Sequence, residues 1–107
     1  MYKTPLILDD YLNYMETIKG TSPNTVKEYF YDLHTFFKYL KTRYKLVSSD
    51  LKFDEIEIDD IDLEFIKRIT IQDLHGYISF VDKNLRNGNH AKSRKVSSLR
   101  SFFNYLY

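Results

Sequence analysis

The chain has 107 residues, of which 43% are hydrophobic, so it is long enough to bury one core and too short for two domains. Eight Phe and ten Tyr stand beside only three Gly and two Pro, a composition that favours helices over an all-β fold. The absence of Cys excludes disulfides and thiolate metal sites, and no apolar run has the length of a signal segment or a membrane span, so a cytoplasmic domain is expected.

The charges are sorted along the chain, although they sum to only +1. Residues 50–64 contain eight acids and one lysine, whereas residues 83–107 contain six Lys and Arg and no acid. The average therefore conceals a basic C-terminal quarter, which is compatible with a nucleic-acid-binding surface.

The first predicted helix covers residues 5–19 and begins after Thr4. Gly20 follows as the residue that ends it. Its apolar positions recur at helical spacing, at Leu8, Tyr11, Leu12, Met15 and Ile18.

The central predicted helix covers residues 22–44. Ser22 is a suitable N-cap, and Pro23 falls at the first helical position, where its missing N–H costs nothing. We expect the centre of the core to lie against its wide apolar face. This face consists of Val26, Tyr29, Phe30, Leu33, Phe36, Phe37 and Leu40.

The charged residues of the central helix fall on two flanks. Glu28 and Asp32 form an acidic flank, which is expected to face away from any bound anion. The other flank is basic and is the side that could meet an anion, with Lys27, His34, Lys38 and Lys41.

The connector at residues 46–69 is acidic. The alternation at residues 55–59 is compatible with a strand, but a strand without a partner is not stable alone, so we expect an extended segment with Ile56 and Ile58 in the core. Asp62 is expected to cap a short helix over residues 63–68. The acids are interpreted either as a solvated loop or as an electrostatic fence that orients a basic face.

The third long helix is predicted over residues 71–83, followed by a loop over residues 84–89. Thr70 and Asp73 form a capping-box-like start, with Asp in place of the usual Glu or Gln. Gly76 costs about 1 kcal/mol relative to Ala inside a helix, so a close contact with another helix is expected there. The apolar stripe consists of Ile71, Leu74, Tyr77, Ile78 and Val81.

The last helix is predicted over residues 90–107, with an apolar side that includes Leu99 and Phe102. Small hydroxyl side chains let a helix approach a phosphate backbone closely, and guanidinium groups bond phosphate or guanine edges. The opposite face therefore suits DNA, and a plain solvated face is the other interpretation. That face carries Ser93, Arg94, Ser97, Arg100, Ser101 and Asn104, with Lys92 and Lys95 beside it.

The chain contains three blocks, SPNTVKEYFYDLHTFFKYL, ITIQDLHGYISFV and SRKVSSLRSFFNYL, in this order. Together they resemble the N-terminal core-binding domain of tyrosine recombinases, of the phage-integrase and Xer type. The resemblance covers most of the chain and implies an all-α, four-helix, SAM-like domain. In such a domain the helices equivalent to 22–44 and 90–107 face the major groove, as one jaw of a clamp around DNA. The acidic connector at 46–69 is a departure from the family pattern.

The resemblance also implies the partners, which are double-stranded DNA and, in the full-length assembly, other recombinase protomers. No membrane, small-molecule substrate, metal or cofactor is expected. The family's catalytic residues belong to a separate C-terminal domain whose motifs are absent from residues 1–107, so no enzymatic activity is expected of this chain itself. The candidate DNA contacts are Asn24, Thr25, Lys27, Tyr31, Lys38, Lys92, Ser93, Arg94, Lys95, Ser97 and Arg100.

Other sites have weaker support in the sequence. The three histidines lack the spacing of metal ligands, and the connector lacks the glycine and closing Glu of a calcium loop. The alternative function is a helical protein-interaction module with no nucleic-acid role. Its docking surface would use exposed aromatic residues, namely Tyr2, Tyr31, Tyr39 and Tyr44.

Overall fold

The computed structural model describes residues 3–85 and 88–107, without the side chain of Leu85, and in those ranges every regular element is helical. This confirms the all-α prediction, with five helices where four were expected because the short connector helix is counted. Tyr2 and the Arg86-Asn87 part of the predicted loop lie outside the described residues. The helices are α1 (Leu6–Asn13), α2 (Pro23–Arg43), α3 (Leu63–Lys67), α4 (Ile71–Phe80) and α5 (Asn89–Leu106), and π-helical turns extend α1 over Tyr14–Ile18 and α4 over Val81–Leu85.

The helix α2 is the element on which the others pack. The Ser22 hydroxyl accepts a hydrogen bond from the Thr25 backbone N–H at 3.3 Å, and Pro23 occupies the first position, as predicted. The helices α4 and α5 and the π turn after α1 all contact α2. Its fully buried apolar side chains lie in the second half, at Leu33, Phe36, Phe37 and Leu40.

Aromatic rings join these helices. The ring of Phe36 meets Tyr77 of α4 with centroids 5.0 Å apart, and that of Phe37 meets Phe102 of α5 at 5.9 Å. Tyr11 of α1 meets Phe102 at 5.2 Å. These edge-on pairs contribute beyond the area that they bury, so the aromatic core fixes α1, α4 and α5 against α2.

The π turn at the end of α1 moves one predicted core residue to the surface. Ile18 is 75% exposed. The i→i+5 bonds of a π turn place more residues in each turn than the 3.6 of an α-helix, so the spacing from Met15 to Ile18 no longer leads to the core. Gly20 then ends the helix with a φ of 69°, in the left-handed region expected of it.

The connector between α2 and α4 is extended, with a 3-10 turn at Phe53–Glu55 and the short α3. Ile56 and Ile58 are buried, as predicted. The Asp62 carboxylate accepts a hydrogen bond from the backbone N–H of Phe65 at 2.9 Å and so begins α3. The strand interpretation does not apply, because the described residues of the connector pair with no other strand.

The helix α4 begins with the predicted capping box. The Asp73 N–H donates to the Thr70 hydroxyl at 3.3 Å, and the Thr70 N–H donates to the Asp73 carboxylate at 2.9 Å. At Gly76 an added Cβ would lie 2.5 Å from the hydroxyl of Tyr39 and 2.8 Å from a guanidinium nitrogen of Arg43. The close helix contact predicted at this glycine is therefore confirmed.

Replacing Phe37 by Ala should lower the free energy of unfolding by about 3–5 kcal/mol, since the ring is fully buried between α2 and α5. Urea denaturation measures the loss. The control is Ile18→Ala, which removes an exposed side chain and should change stability by less than about 0.5 kcal/mol. Equal midpoints for the two variants would contradict this description of the core.

Candidate nucleic-acid interface

The outward face of α5 carries polar and basic side chains. Ser93, Ser97, Arg100 and Asn104 follow one another at steps of three and four residues and are all exposed. The inward face is set by Phe102, which is fully buried against α2. The helical period that buries one face therefore exposes four of the six residues expected on the other, whereas Arg94 and Ser101 are half-buried.

Arg94 differs from those four residues, because it is held by two carboxylates of α2. Its Nε and Nη2 donate to the two carboxylate oxygens of Asp32, both at 2.9 Å. Its Nη1 lies 2.9 Å from Glu28. The hydrogen bonds from Arg94 to Asp32, followed by the charges of Asp32 and Glu28, raise the pKa of the guanidinium further above its usual value.

Lys95 completes this group beneath the surface. Its ammonium donates to Asp32 at 3.0 Å, and its side chain is 9% exposed. The Asp32 side chain is 1% exposed. We call Glu28, Asp32, Arg94 and Lys95 the α2–α5 charge cluster. Its two acids balance its two cations, so it adds no net positive charge to the face of α5.

The α2–α5 charge cluster changes the expected roles of its residues. Glu28 and Asp32, which were expected only to face away from a bound anion, bind Arg94 directly. Arg94 and Lys95 are not surface cations ready for DNA, since both are paired and Lys95 is buried. A buried carboxylate requires a charged partner, and these two residues supply it.

The predicted basic flank of α2 is also mostly covered. His34, Lys38 and Lys41 are 3%, 6% and 8% exposed. The connector lies over them, where Lys41 binds Asp60 and the Lys38 ammonium sits 6.0 Å from the centre of the Phe53 ring. The prediction that this flank meets an external anion was wrong for these three residues.

The acidic connector explains this arrangement. Desolvation lowers the pKa of the Lys38 ammonium, and the negative charge of Asp54 opposes that shift. Asp60 bonds to Lys41 from an exposed position. Part of the acidic run thus neutralises the α2 flank, which neither the solvated-loop interpretation nor the fence interpretation anticipated.

The first half of α2 remains accessible. Asn24, Lys27 and Tyr31 are exposed, whereas Thr25 is half-buried at the start of the helix. Asn24 and Tyr31 lie one turn before and after Glu28, which bonds to Arg94, so this part of α2 adjoins the face of α5. Asn24 and Tyr31 therefore lie on the side of α2 that carries the α2–α5 charge cluster. Lys27 instead lines a groove with Leu12 of α1 and Glu16 of its π turn, and Lys38 is buried.

Lys92 lies at the edge of this surface. Its ammonium is 3.0 Å from Asp82 in the π turn after α4, and its side chain is 34% exposed. This ion pair is near the surface, where such pairs contribute about 0–1 kcal/mol, so it leaves the lysine accessible to a competing anion.

Sequence reasoning missed Lys19. This residue follows the π turn of α1 and lines a groove of about 300 Å³ together with Tyr14 on its own side and Ser97, Ser101, Arg100, Asn104 and Tyr105 of α5. We call this the π-turn groove. A lysine beside Gly20 at the end of a helix has an ordinary role in the helix dipole, so its sequence position does not indicate the groove.

Two further findings concern the described ranges, 3–85 and 88–107. No group of three or more His, Cys, Asp or Glu side chains there is arranged to hold a metal ion. No helix there is long and apolar enough to cross a membrane.

Comparisons with known proteins show the family of this chain. The profile of the family described as "Phage integrase, N-terminal SAM-like domain" matches residues 8–107. "Tyrosine recombinase XerC" of Caldanaerobacter subterraneus subsp. tengcongensis is 51% identical over 105 residues, which cover 98% of this chain and 30% of the relative. "Tyrosine recombinase XerD" of Listeria innocua is 31% identical over 100 residues, covering 94% of this chain and 28% of the relative.

The chain belongs to the phage integrase N-terminal SAM-like domain family, which confirms the resemblance found in the sequence. It spans less than a third of the length of the curated relatives named above. No solved structure was found to match it.

Replacing Arg94 by Ala should destabilise the fold by about 2–4 kcal/mol, because Asp32 stays buried with only Lys95 as its partner. This exceeds the effect of about 0.5 kcal/mol expected for an exposed helix residue. Thermal and urea unfolding measure the loss. Ser93→Ala, one position earlier and exposed, is the matched control. An Arg94→Ala protein as stable as Ser93→Ala would show that the α2–α5 charge cluster is not structural.

Lowering the pH should destabilise the protein through His34. Burial, and then the charge of Lys38, lowers the pKa of this histidine from 6.5 to about 4. The unfolded chain binds the proton near pH 6.5 and the folded chain near pH 4, so stability that is complete above pH 6.5 is lost as the pH falls between these values. At about 1.4 kcal/mol per pKa unit, the full loss is about 3 kcal/mol.

Urea unfolding of His34→Gln between pH 7 and pH 4 tests this dependence, since the variant should lose less stability than the wild type over that range. His75→Gln is the control, because it makes the same substitution at a histidine that is exposed. Parallel curves for His34→Gln and His75→Gln would exclude His34 as the cause.

Proposed function

We propose that this domain binds double-stranded DNA, as the N-terminal clamp domain of a site-specific tyrosine recombinase. The observation that carries the proposal is the outward face of α5. Ser93, Ser97, Arg100 and Asn104 form an exposed line of small hydroxyls, an amide and a cation, on a helix that contains no acid. The first half of α2 extends the same surface.

The chemistry of this face matches what DNA offers. Hydroxyl and amide groups donate to phosphate oxygens, and a guanidinium group bonds either phosphate or the O6 and N7 atoms of guanine. The face is a helix surface, which has the dimensions that the major groove admits. Binding of α5 in the major groove, with α2 beside it, is therefore the arrangement that we infer.

The candidate DNA contacts differ in how deeply they are buried and in whether they are paired with acids. Four residues are better explained as structural or as peripheral: Lys38 and Lys95 are buried, Arg94 is paired with two acids, and Thr25 lies in the cap of α2. Lys92 can contribute at the edge of the surface. The proposed direct contacts are Asn24, Lys27, Tyr31, Ser93, Ser97 and Arg100.

The names of the relatives support a role of the full-length protein in recombination. Both relatives compared above are tyrosine recombinases, and this chain matches less than a third of each. We infer that catalysis of DNA integration or recombination belongs to a domain outside residues 1–107, and that other recombinase protomers are partners in the assembly on DNA. A cytoplasmic location is part of the same proposal.

The alternative of a protein-docking module receives less support. Tyr39 is half-buried and its ring lies 5.5 Å from that of Tyr77. Tyr44 is half-buried and its hydroxyl donates to Asp73. These two tyrosines are used inside the domain, so they do not form the exposed aromatic surface that docking would need.

The chain should bind labelled duplex DNA with a Kd on the order of 10⁻⁴–10⁻⁶ M when the duplex lacks a specific site. Affinity should fall steeply with salt, with a log–log slope of about −0.9 for each phosphate neutralised, whereas apolar docking would respond little. Fluorescence anisotropy at several salt concentrations measures both quantities. Absence of binding at low salt would refute the proposal.

A further inference from the structure

The π-turn groove lies beside the proposed DNA-binding face and differs in composition from the α2–α5 charge cluster. Lys19 stands on the α1 side and Arg100 on the α5 side, and no acid lines the groove. Among residues 3–85 and 88–107, neither cation has a carboxylate within 4.0 Å. The two positive charges are therefore not neutralised by the part of the protein that is described.

The walls of the groove are held in place by other contacts. The Tyr11 hydroxyl donates to the Ser101 hydroxyl at 2.7 Å, which in turn lies 3.8 Å from the sulfur of Met15. The ring of Tyr105 lies 5.0 Å from that of Tyr14 and 5.3 Å from that of Tyr11. Ser101 and Tyr105 thus act as structural walls of the groove.

Two donors on α5 remain for a ligand. The Ser97 hydroxyl and the Asn104 amide line the groove, and neither side chain is hydrogen-bonded to another described residue. Both lie on the exposed face of α5, one turn from Arg100. The groove therefore offers two cations and two neutral donors around a space of about 300 Å³.

The backbone explains why Lys19 reaches this position. The Lys19 N–H donates to the Tyr14 carbonyl at 3.0 Å and closes the π turn, and the Thr21 N–H donates to the Met15 carbonyl at 2.8 Å. Gly20 between them has a positive φ. The chain is thus fixed on both sides of Lys19, and π turns within helices often mark functional positions.

We infer that the π-turn groove is a phosphodiester-binding subsite, in which Lys19 and Arg100 contact one backbone phosphate from opposite sides while Ser97 and Asn104 donate to its oxygens. A phosphodiester carries one negative charge and several acceptor oxygens, which suits this set of donors. The inference rests on the proposed function, since the phosphate belongs to the DNA that α5 contacts. It adds Lys19, from a third element, to the surface formed by α2 and α5.

The test measures duplex DNA affinity as a function of salt for Lys19→Gln, Arg100→Gln and the double variant. Each single substitution should raise Kd about three- to tenfold at low salt, and this difference should shrink as salt increases. Because both cations are assigned to the same phosphate, the double variant should lose about 0.9 from the log–log slope, whereas contacts to two separate phosphates would lose about 1.8.

Lys45→Gln is the control for charge alone, because Lys45 is exposed just beyond the C-terminal end of α2 and lies outside the groove. Thermal melts of every variant check the fold. Wild-type binding with Lys19→Gln equal to Lys45→Gln would overturn the subsite while leaving the proposed function intact. A slope loss near 1.8 in the double variant would overturn the shared phosphate, and absence of wild-type binding would overturn the proposed function itself.

A competition experiment tests the chemical class of the ligand. An oligonucleotide should displace the labelled duplex from the wild type at a lower concentration than an oligo-glutamate peptide of the same charge. The Lys19→Gln substitution should reduce that preference. Equal competition by the two anions would show a general anion-binding surface and would contradict the assignment to a phosphodiester.

Discussion

The burial of the Asp32 carboxylate on the central helix is the constraint on which the proposed binding surface depends. A carboxylate that is almost fully removed from water must be paired, and α5 supplies both Arg94 and Lys95 for this purpose. The bidentate contact fixes the orientation of the guanidinium as well as its distance. It therefore holds α5 in one rotation about its axis, and the same rotation places Ser97 and Arg100 outward. The ion pair and the aromatic core act together, since Phe102 packs on α2 from the same helix.

On the other side of α2, the connector places acids near buried lysines, just as α5 places cations beside the buried Asp32. Lys38 and Lys41 are buried beneath it, with Asp60 bonded to Lys41 and Asp54 close enough to influence Lys38. The acidic run is thus partly a neutralising cover. As a result, Lys38 and Lys41 add no accessible positive charge to α2, and its exposed Lys27 lies in the first half of the helix. The cations of the folded domain therefore fall into two groups. Those of one group contact residues of the domain itself, and those of the other remain accessible at the surface.

Local signals in the sequence were sufficient to predict the helices. Ser22 with Pro23, and Thr70 with Asp73, are capping arrangements that depend on neighbouring residues alone, and the structure has both. Predictions that depended on distant residues succeeded less often. The partner of Arg94 lies 62 positions away, and helical periodicity on α5 cannot reveal it. The π turn was also hidden, because a periodicity of 3.6 residues was assumed throughout α1.

The Lys and Arg residues of α5 do not contribute equally to the positive charge of its outward face, because some of them are paired with acids. Counting Lys and Arg on α5 treats Lys92, Arg94, Lys95 and Arg100 as equivalent, yet only Arg100 is exposed and has no ion pair among the described residues. In the proposed complex with DNA, the number of phosphates neutralised, and hence the salt dependence of binding, would follow the accessible charges and not the total. Lys19 partly compensates for the cations lost to pairing, since it brings a charge from α1 to the side of α5. A domain with a net charge of +1 can in this way present a locally positive face, because some of its acids, such as Asp32 and Asp60, pair with cations elsewhere in the fold.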